Sequence, residues 1–170
     1  MNLCRWLLVG LVAFGANGCA GYKLGPVNGQ TAGAKAVQIN PFTNTTLEPR
    51  LGDEVTAQIR KQVQRDGTFR LASHDDGDIV VSGSVNHYQR VVISLTPTDT
   101  LTALDYRLEL RAQVTAHERG TGKVILNQPV MGNTIIRVTT DLTSTERQAL
   151  PLLAADFAKN VTALLAEGRW

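Results

Sequence analysis

Between Leu104 and Ala116 the chain alternates without a slip. Leu104, Tyr106, Leu108, Leu110, Ala112, Val114 and Ala116 share one parity, and Asp105, Arg107, Glu109, Arg111, Gln113 and Thr115 share the other. A period of two over so long a run predicts a strand with one buried and one wet face. The run Asp78–Leu95 carries Ile79, Val81, Val85, Val91, Ile93 and Leu95 on one parity as well, but at eighteen residues it is long for a single strand. A bend or bulge is therefore expected near Gly83 or Gln89. Val124–Val138 reads as the returning strand, joined through the Gly-rich turn Glu118–Lys123, with Pro129 marking a bulge or an edge. Upstream, Val37 and Ile39 alternate with polar neighbours and stop at Pro41, a short first strand near a sheet edge; Thr68–Leu71 reads as another strand.

Two segments change the period. Leu51, Val55, Ile59 and Val63 recur every four residues among Arg60, Lys61, Gln62 and Arg65, predicting an amphipathic helix that ends at Asp66–Gly67 after turn and cap chemistry from Asn44–Thr46. Near the C-terminus Leu150, Leu153, Phe157, Val161 and Leu164 line one side of a second helix. Thr143 and Glu146 form a capping-box signature before it, and Pro151 should kink the helix or start a new segment. The fold class is α/β of the α+β type. It is a two-layer sandwich, a mixed and mostly antiparallel sheet of about four strands with two helices on one face, and it leaves the sheet's polar face uncovered.

The first nineteen residues follow a different logic. Arg5 precedes the apolar run Trp6–Phe14, which is too short to span a bilayer, and Gly15–Gly18 supplies small residues ahead of Cys19. This is the pattern of a bacterial lipoprotein signal, with Ala16 where Leu is commoner. Residues 1–18 would be removed, Cys19 would be acylated, and residues 19–33, rich in Gly, would tether a single domain over 34–170. Cleavage around Ala20 is the alternative and would release a soluble exported protein.

Composition narrows the function. Loss of Arg5 with the signal takes the seventeen basic residues to sixteen, against fifteen acidic ones, so the mature chain is near neutral and lacks the basic excess that nucleic acid demands. Of the two cysteines, Cys4 is lost with the signal, which leaves Cys19 without an intramolecular partner. Acylation of that thiol disposes of a reactive group in an oxidising compartment, and two or three acyl chains would hold the protein to a leaflet stably.

Several phrases resemble the LptE family of outer-membrane lipopolysaccharide-assembly lipoproteins. They are Cys19–Leu24 behind the signal, Ala36–Thr46 with its Phe42-Thr43-Asn44-Thr45 turn, Leu51–Phe69, Gly77–Gly83, and Glu146–Ala158. The resemblance implies a periplasm-facing lipoprotein that enters the lumen of an LptD-type β-barrel, helps that barrel assemble, and assists delivery of lipopolysaccharide to the outer leaflet. It implies no catalysis and no cofactor beyond the covalent lipid on Cys19. Ala20 is compatible with sorting to the outer membrane. A polar sheet face would suit a polar barrel lumen. The competing reading is an accessory lipoprotein of another envelope machine, such as a barrel-assembly factor, a secretin pilotin or an auxiliary subunit of a lipid-transport ABC system.

Arg90, Arg107, Arg137 and Arg147 should fall near the end of the sheet that carries the 96–103 loop, where guanidinium groups could take lipopolysaccharide phosphates. The alternative is that they pair with Asp99, Asp105, Asp141 and Glu146; the loop Thr96–Thr100 itself has no basic residue. An enzyme is disfavoured. His74-Asp75-Asp76 lies in a polar turn, the three histidines have no ligand spacing, His87 sits on the apolar parity as a strand histidine, and no nucleophile motif appears. No metal site is expected.

Overall fold

The computed structural model describes residues 32–96, 99–138 and 141–168; the signal, Cys19 and most of the tether lie outside them. Strand β1 (Ala36–Ile39) and the two-residue β2 (Thr43–Asn44) precede helix α1 (Leu51–Asp66) and the two-residue β3 (Arg70–Leu71). The long strands β4 (Ile79–Thr96), β5 (Asp99–Glu118) and β6 (Val124–Arg137) follow, then helix α2 (Leu142–Glu167). One mixed sheet of six strands forms in the order β3-β1-β4-β5-β6, with β2 pairing β4 off that path. The short strands run parallel to their neighbours, and β4, β5 and β6 form an antiparallel meander. The class is the one the sequence pattern predicts. The strand count is six rather than about four: β3 is a two-residue remnant of the expected Thr68–Leu71 strand, and β2, also two residues long, is too short to generate a period.

Helix α1 forms where the four-residue spacing places it. Leu51, Val55, Ile59 and Val63 are fully buried, and the helix ends at Gly67, whose φ of 74° lets its N–H reach the Val63 carbonyl. Its start differs from expectation. The residue ahead of the first turn is Arg50, in the left-handed region at φ 63° and without a side-chain cap. Asn44 instead closes the preceding turn, its Oδ1 accepting from the Thr46 N–H at 3.0 Å and its amide donating to the Glu48 carbonyl at 2.7 Å. Buried Thr56 then joins this turn to α1, accepting from the Phe42 N–H at 2.9 Å and donating to the Gly52 carbonyl at 2.7 Å.

One further expectation is corrected and another is narrowed. The cap of α2 is Asp141, whose carboxylate accepts from the Thr143 and Ser144 N–H groups, so Thr143 and Glu146 do not form a capping box. Pro151 lies on the exposed side within one continuous helix rather than opening a second segment. Leu153, Phe157, Val161 and Leu165 are fully buried, and Leu164 is the partly buried neighbour. Each fully buried apolar side chain contributes about 1.5–3 kcal/mol before entropy.

Helix α2 docks on β6 at a glycine. Leu108, Leu110, Ala112, Val114 and Ala116 on the predicted face of β5 are fully buried, and Gly132 lies opposite Leu110 on the neighbouring strand. A Cβ at Gly132 would come within 2.7 Å of both the Phe157 N and Cβ, so the helix backbone rests directly on the strand. Phe157 in turn meets Phe42 edge-on, with ring centroids 6.3 Å apart. The same approach seals the outer edge of β6. Asp156 accepts from the Asn133 N–H at 2.9 Å, Asn160 donates to the Met131 carbonyl at 2.8 Å, and Pro129 on this edge strand has no N–H to offer. A strand that could otherwise recruit another chain is closed to pairing along that stretch. Gly132→Ala should cost about 1–3 kcal/mol through overpacking, read as a lower urea midpoint.

Candidate docking surface and the arginine positions

Both helices pack on one side of the sheet, so the opposite side is formed by strands alone, and no described element covers it. Its chemistry follows from register. Cross-strand partners lie on the same face, and the odd residues of β5 each sit between one residue of β4 and one of β6. From the loop end downward the rows are Ser94–Asp105–Arg137, Val91–Arg107–Ile135, Gln89–Glu109–Asn133, His87–Arg111–Met131, Ser84–Gln113–Pro129 and Ser82–Thr115–Asn127. Charge alternates along the middle column from Asp105 to Arg111.

This layout depends on a bulge at Asn86. The register passes from Val85↔Ala112 to His87↔Arg111, so one residue of β4 is left over and the parity reverses from His87 to Val92, until a second shift at Ile93 returns Ser94 to the face of Asp105. The break falls between the two expected positions, Gly83 and Gln89. Its consequence was not legible in the pattern: Val91 does not continue the core face but lies across from Arg107, and His87 is on the wet face rather than on the apolar one. Tyr88, Arg90 and Val92 take the core-side positions opposite Leu110, Leu108 and Tyr106. Val92, Ile93 and Leu95 remain 39–49% exposed.

The sheet therefore divides the four candidate arginines. Arg90 faces the helix side, where it pairs with Glu146 of α2 at 2.9 Å. Arg147 stands on the exposed first turns of the same helix. On the opposite face Arg137 grips Asp105 through two contacts of 2.7 and 3.1 Å, and Arg107 reaches Glu109 at 3.9 Å. Two of these ion pairs are ones the sequence offers as the alternative to phosphate binding. Asp141 is engaged as a helix cap instead. The backbone does not bring the four guanidinium groups to one point.

A second polar cluster was not anticipated. The Tyr88 hydroxyl donates to Glu146, which also receives Arg90, and together with Glu48 they line an open cleft of ≈ 580 Å³ between the 45–48 loop and the bulge. The trace it leaves in the sequence is the adjacent polar pairs Asn86-His87 and Gln89-Arg90, which occupy both parities of the run. Burial raises the Glu48 pKa, and the Glu146 charge adds to this; Arg90 and Arg147 partly oppose it. Burial, then the bond to Glu146, pushes the Tyr88 hydroxyl above the usual tyrosine range, so it stays a donor. On the other face the hydrogen bonds from Arg137 and Ser94 hold Asp105 below the usual carboxylate range. The His74–Asp76 segment is a surface turn in which Asp75 accepts from Gln38 at 2.8 Å. Among the described residues no cluster of metal-ligating side chains occurs.

The model of the LptE family, described as lipopolysaccharide-assembly, matches residues 34–165. The chain belongs to the LptE family. Membership places this LptE chain among the accessory lipoproteins of the bacterial envelope. Solved structures share its fold at low identity. A protein from Xanthomonas campestris, of family DUF330, superposes with a TM-score of 0.60 at 7% identity, over 85% of this chain and 91% of its own. A hypothetical protein from Chlamydia trachomatis gives 0.57 at 10% identity, over 78% and 95%. A lipoprotein described as putative, from Caulobacter crescentus, gives 0.50 at 12% identity, over 74% and 88%. No curated protein matches the chain.

The raised pKa of Glu48 fixes a pH dependence. Glu48 holds its proton more tightly folded than unfolded, so acid favours the fold, and this contribution is lost as pH rises through the raised value. Glu48→Gln should therefore unfold at higher urea than the parent at neutral pH. The difference should vanish once pH falls below the ordinary glutamate value of 4.5.

Proposed function

We propose that this LptE-family protein is acylated on Cys19, held at the periplasmic face of the outer membrane, and docked through its uncovered sheet face inside an LptD-type β-barrel. There it assists barrel assembly and delivery of lipopolysaccharide to the outer leaflet. The observation that carries the reading is the one-sided sheet. Gln113 donates to Asn127 at 2.8 Å and Gln89 to Glu109 at 2.8 Å, so the face is a broad, preorganised polar surface rather than a solvated fringe. A barrel lumen is polar, and a face of amides, hydroxyls and paired charges meets it without burying unmatched groups.

The role is non-enzymatic. The polar clusters that the fold assembles, Glu146 with Tyr88 and Arg90 or Asp105 with Arg137, are spent on holding strands and helix together. The arginines open to lipopolysaccharide phosphates stand on both sides of the sheet. The loop end of β4, with Val92 and Leu95 exposed, supplies apolar surface at that end of the sheet.

Mass spectrometry of the protein extracted from its own cells should find a mature N-terminus at Cys19 carrying a diacylglyceryl group. Cys19→Ala should shift it from the membrane fraction to an uncleaved or soluble form and reduce its recovery with the barrel. An unmodified N-terminus elsewhere in the chain contradicts the anchor.

A further inference from the structure

The rows of the uncovered face are not alike. Ser94 donates to Asp105 at 2.6 Å while Arg137 grips the same carboxylate. Gln89 bonds Glu109, which also neighbours Arg107. Gln113 and Thr115 share Asn127, at 2.8 and 3.4 Å. The row His87–Arg111–Met131 is the exception. Arg111 is exposed, and it has no hydrogen bond or ion pair to any described residue, although it stands on the central strand of the face.

We propose that Arg111 is the charged anchor of the docking face and that its occupant is a carboxylate on the lumen wall of the barrel partner. This rests on the docking reading above. A guanidinium covered by a polar wall loses its water and must regain an acceptor, and a carboxylate matches its fork with two parallel bonds. Met131, 47% exposed in the same row, and Ile135, 60% exposed two rows up, are apolar surfaces able to exclude water around the pair. Charge supports this choice. Asp105 with Arg137 and Glu109 with Arg107 cancel, so the six rows from Ser94–Asp105–Arg137 to Ser82–Thr115–Asn127 carry one unmatched positive charge, and complementarity asks for one negative charge opposite it. A free phosphate or lipid headgroup fits less well. It favours several converging donors, whereas Arg111 is flanked along its strand by Glu109 and Gln113, on a flat face rather than in a cleft.

The full chain, co-expressed with its barrel subunit and affinity-purified in detergent, provides the test. Arg111→Glu should lower the recovered barrel on the order of thirty-fold, and Arg111→Lys by much less. Lys159→Glu, on the outer side of α2, should leave recovery unchanged. A photo-crosslinking side chain at position 131 should join the barrel in the otherwise unaltered chain, which reads the surface even where the reversal impairs folding. Capture of the barrel by the parent, with equal capture by Arg111→Glu and no crosslink from position 131, overturns the proposal. Failure of the parent itself to capture the barrel overturns the docking reading beneath it. Loss by Arg111→Glu of binding that the parent shows to phosphatidylcholine vesicles doped with lipid A would replace the carboxylate with a lipid anion and equally overturn it.

Discussion

The close approach of α2 to β6 at Gly132 is the constraint on which the rest of this structure depends. With no side chain on the strand, the helix backbone at Phe157 lies against the sheet, and Asp156 and Asn160 reach the backbone of Asn133 and Met131 on either side. One contact thus positions the helix, fills the core with Phe157 and closes the outer edge of the sheet. Close packing of this kind tolerates little change, because interior side chains already sit at crystalline density. Both helices are committed to that side, and the opposite side is left to the strands.

What the exposed side becomes is decided by β4. The extra residue at Asn86 reverses the strand, so Tyr88 and Arg90 turn inward to meet Glu146 while His87, Gln89 and Val91 turn outward to flank β5. The bulge therefore serves both faces: it ties the first turns of α2 to the sheet and completes the row structure of the polar surface. Cross-strand hydrogen bonds fix most of that surface in the free protein, which in the proposed docking lowers the entropy lost.

Periodicity made the helices and the β5 faces legible, because each is a long run in which burial is decided by one repeat. The wet residues Asp105 to Thr115 and the buried residues Leu108 to Ala116 lie as their spacing predicts. Features set by a single residue were harder to read. The Asn86 bulge inverted the expected placement of His87 and Val91; a slip of one position is invisible to a pattern that survives on either side of it. Asp141 displaced Thr143 as the cap of α2, since both have capping chemistry and only the backbone path distinguishes them. The arginine positions shared an end of the sheet but not a face, and sequence spacing alone could not place them across that divide.

The central claim is that the strand face, and not the helical face, is the one a partner covers. Hydroxyl-radical footprinting of the purified complex against the free protein tests it most directly, because exposed side chains report from both sides in one experiment. Met131, Ile135 and His87 should lose reactivity on complex formation, while Leu152, 64% exposed on the outer side of α2, keeps its own. Protection of Leu152 with Met131 and Ile135 still reactive would contradict the account.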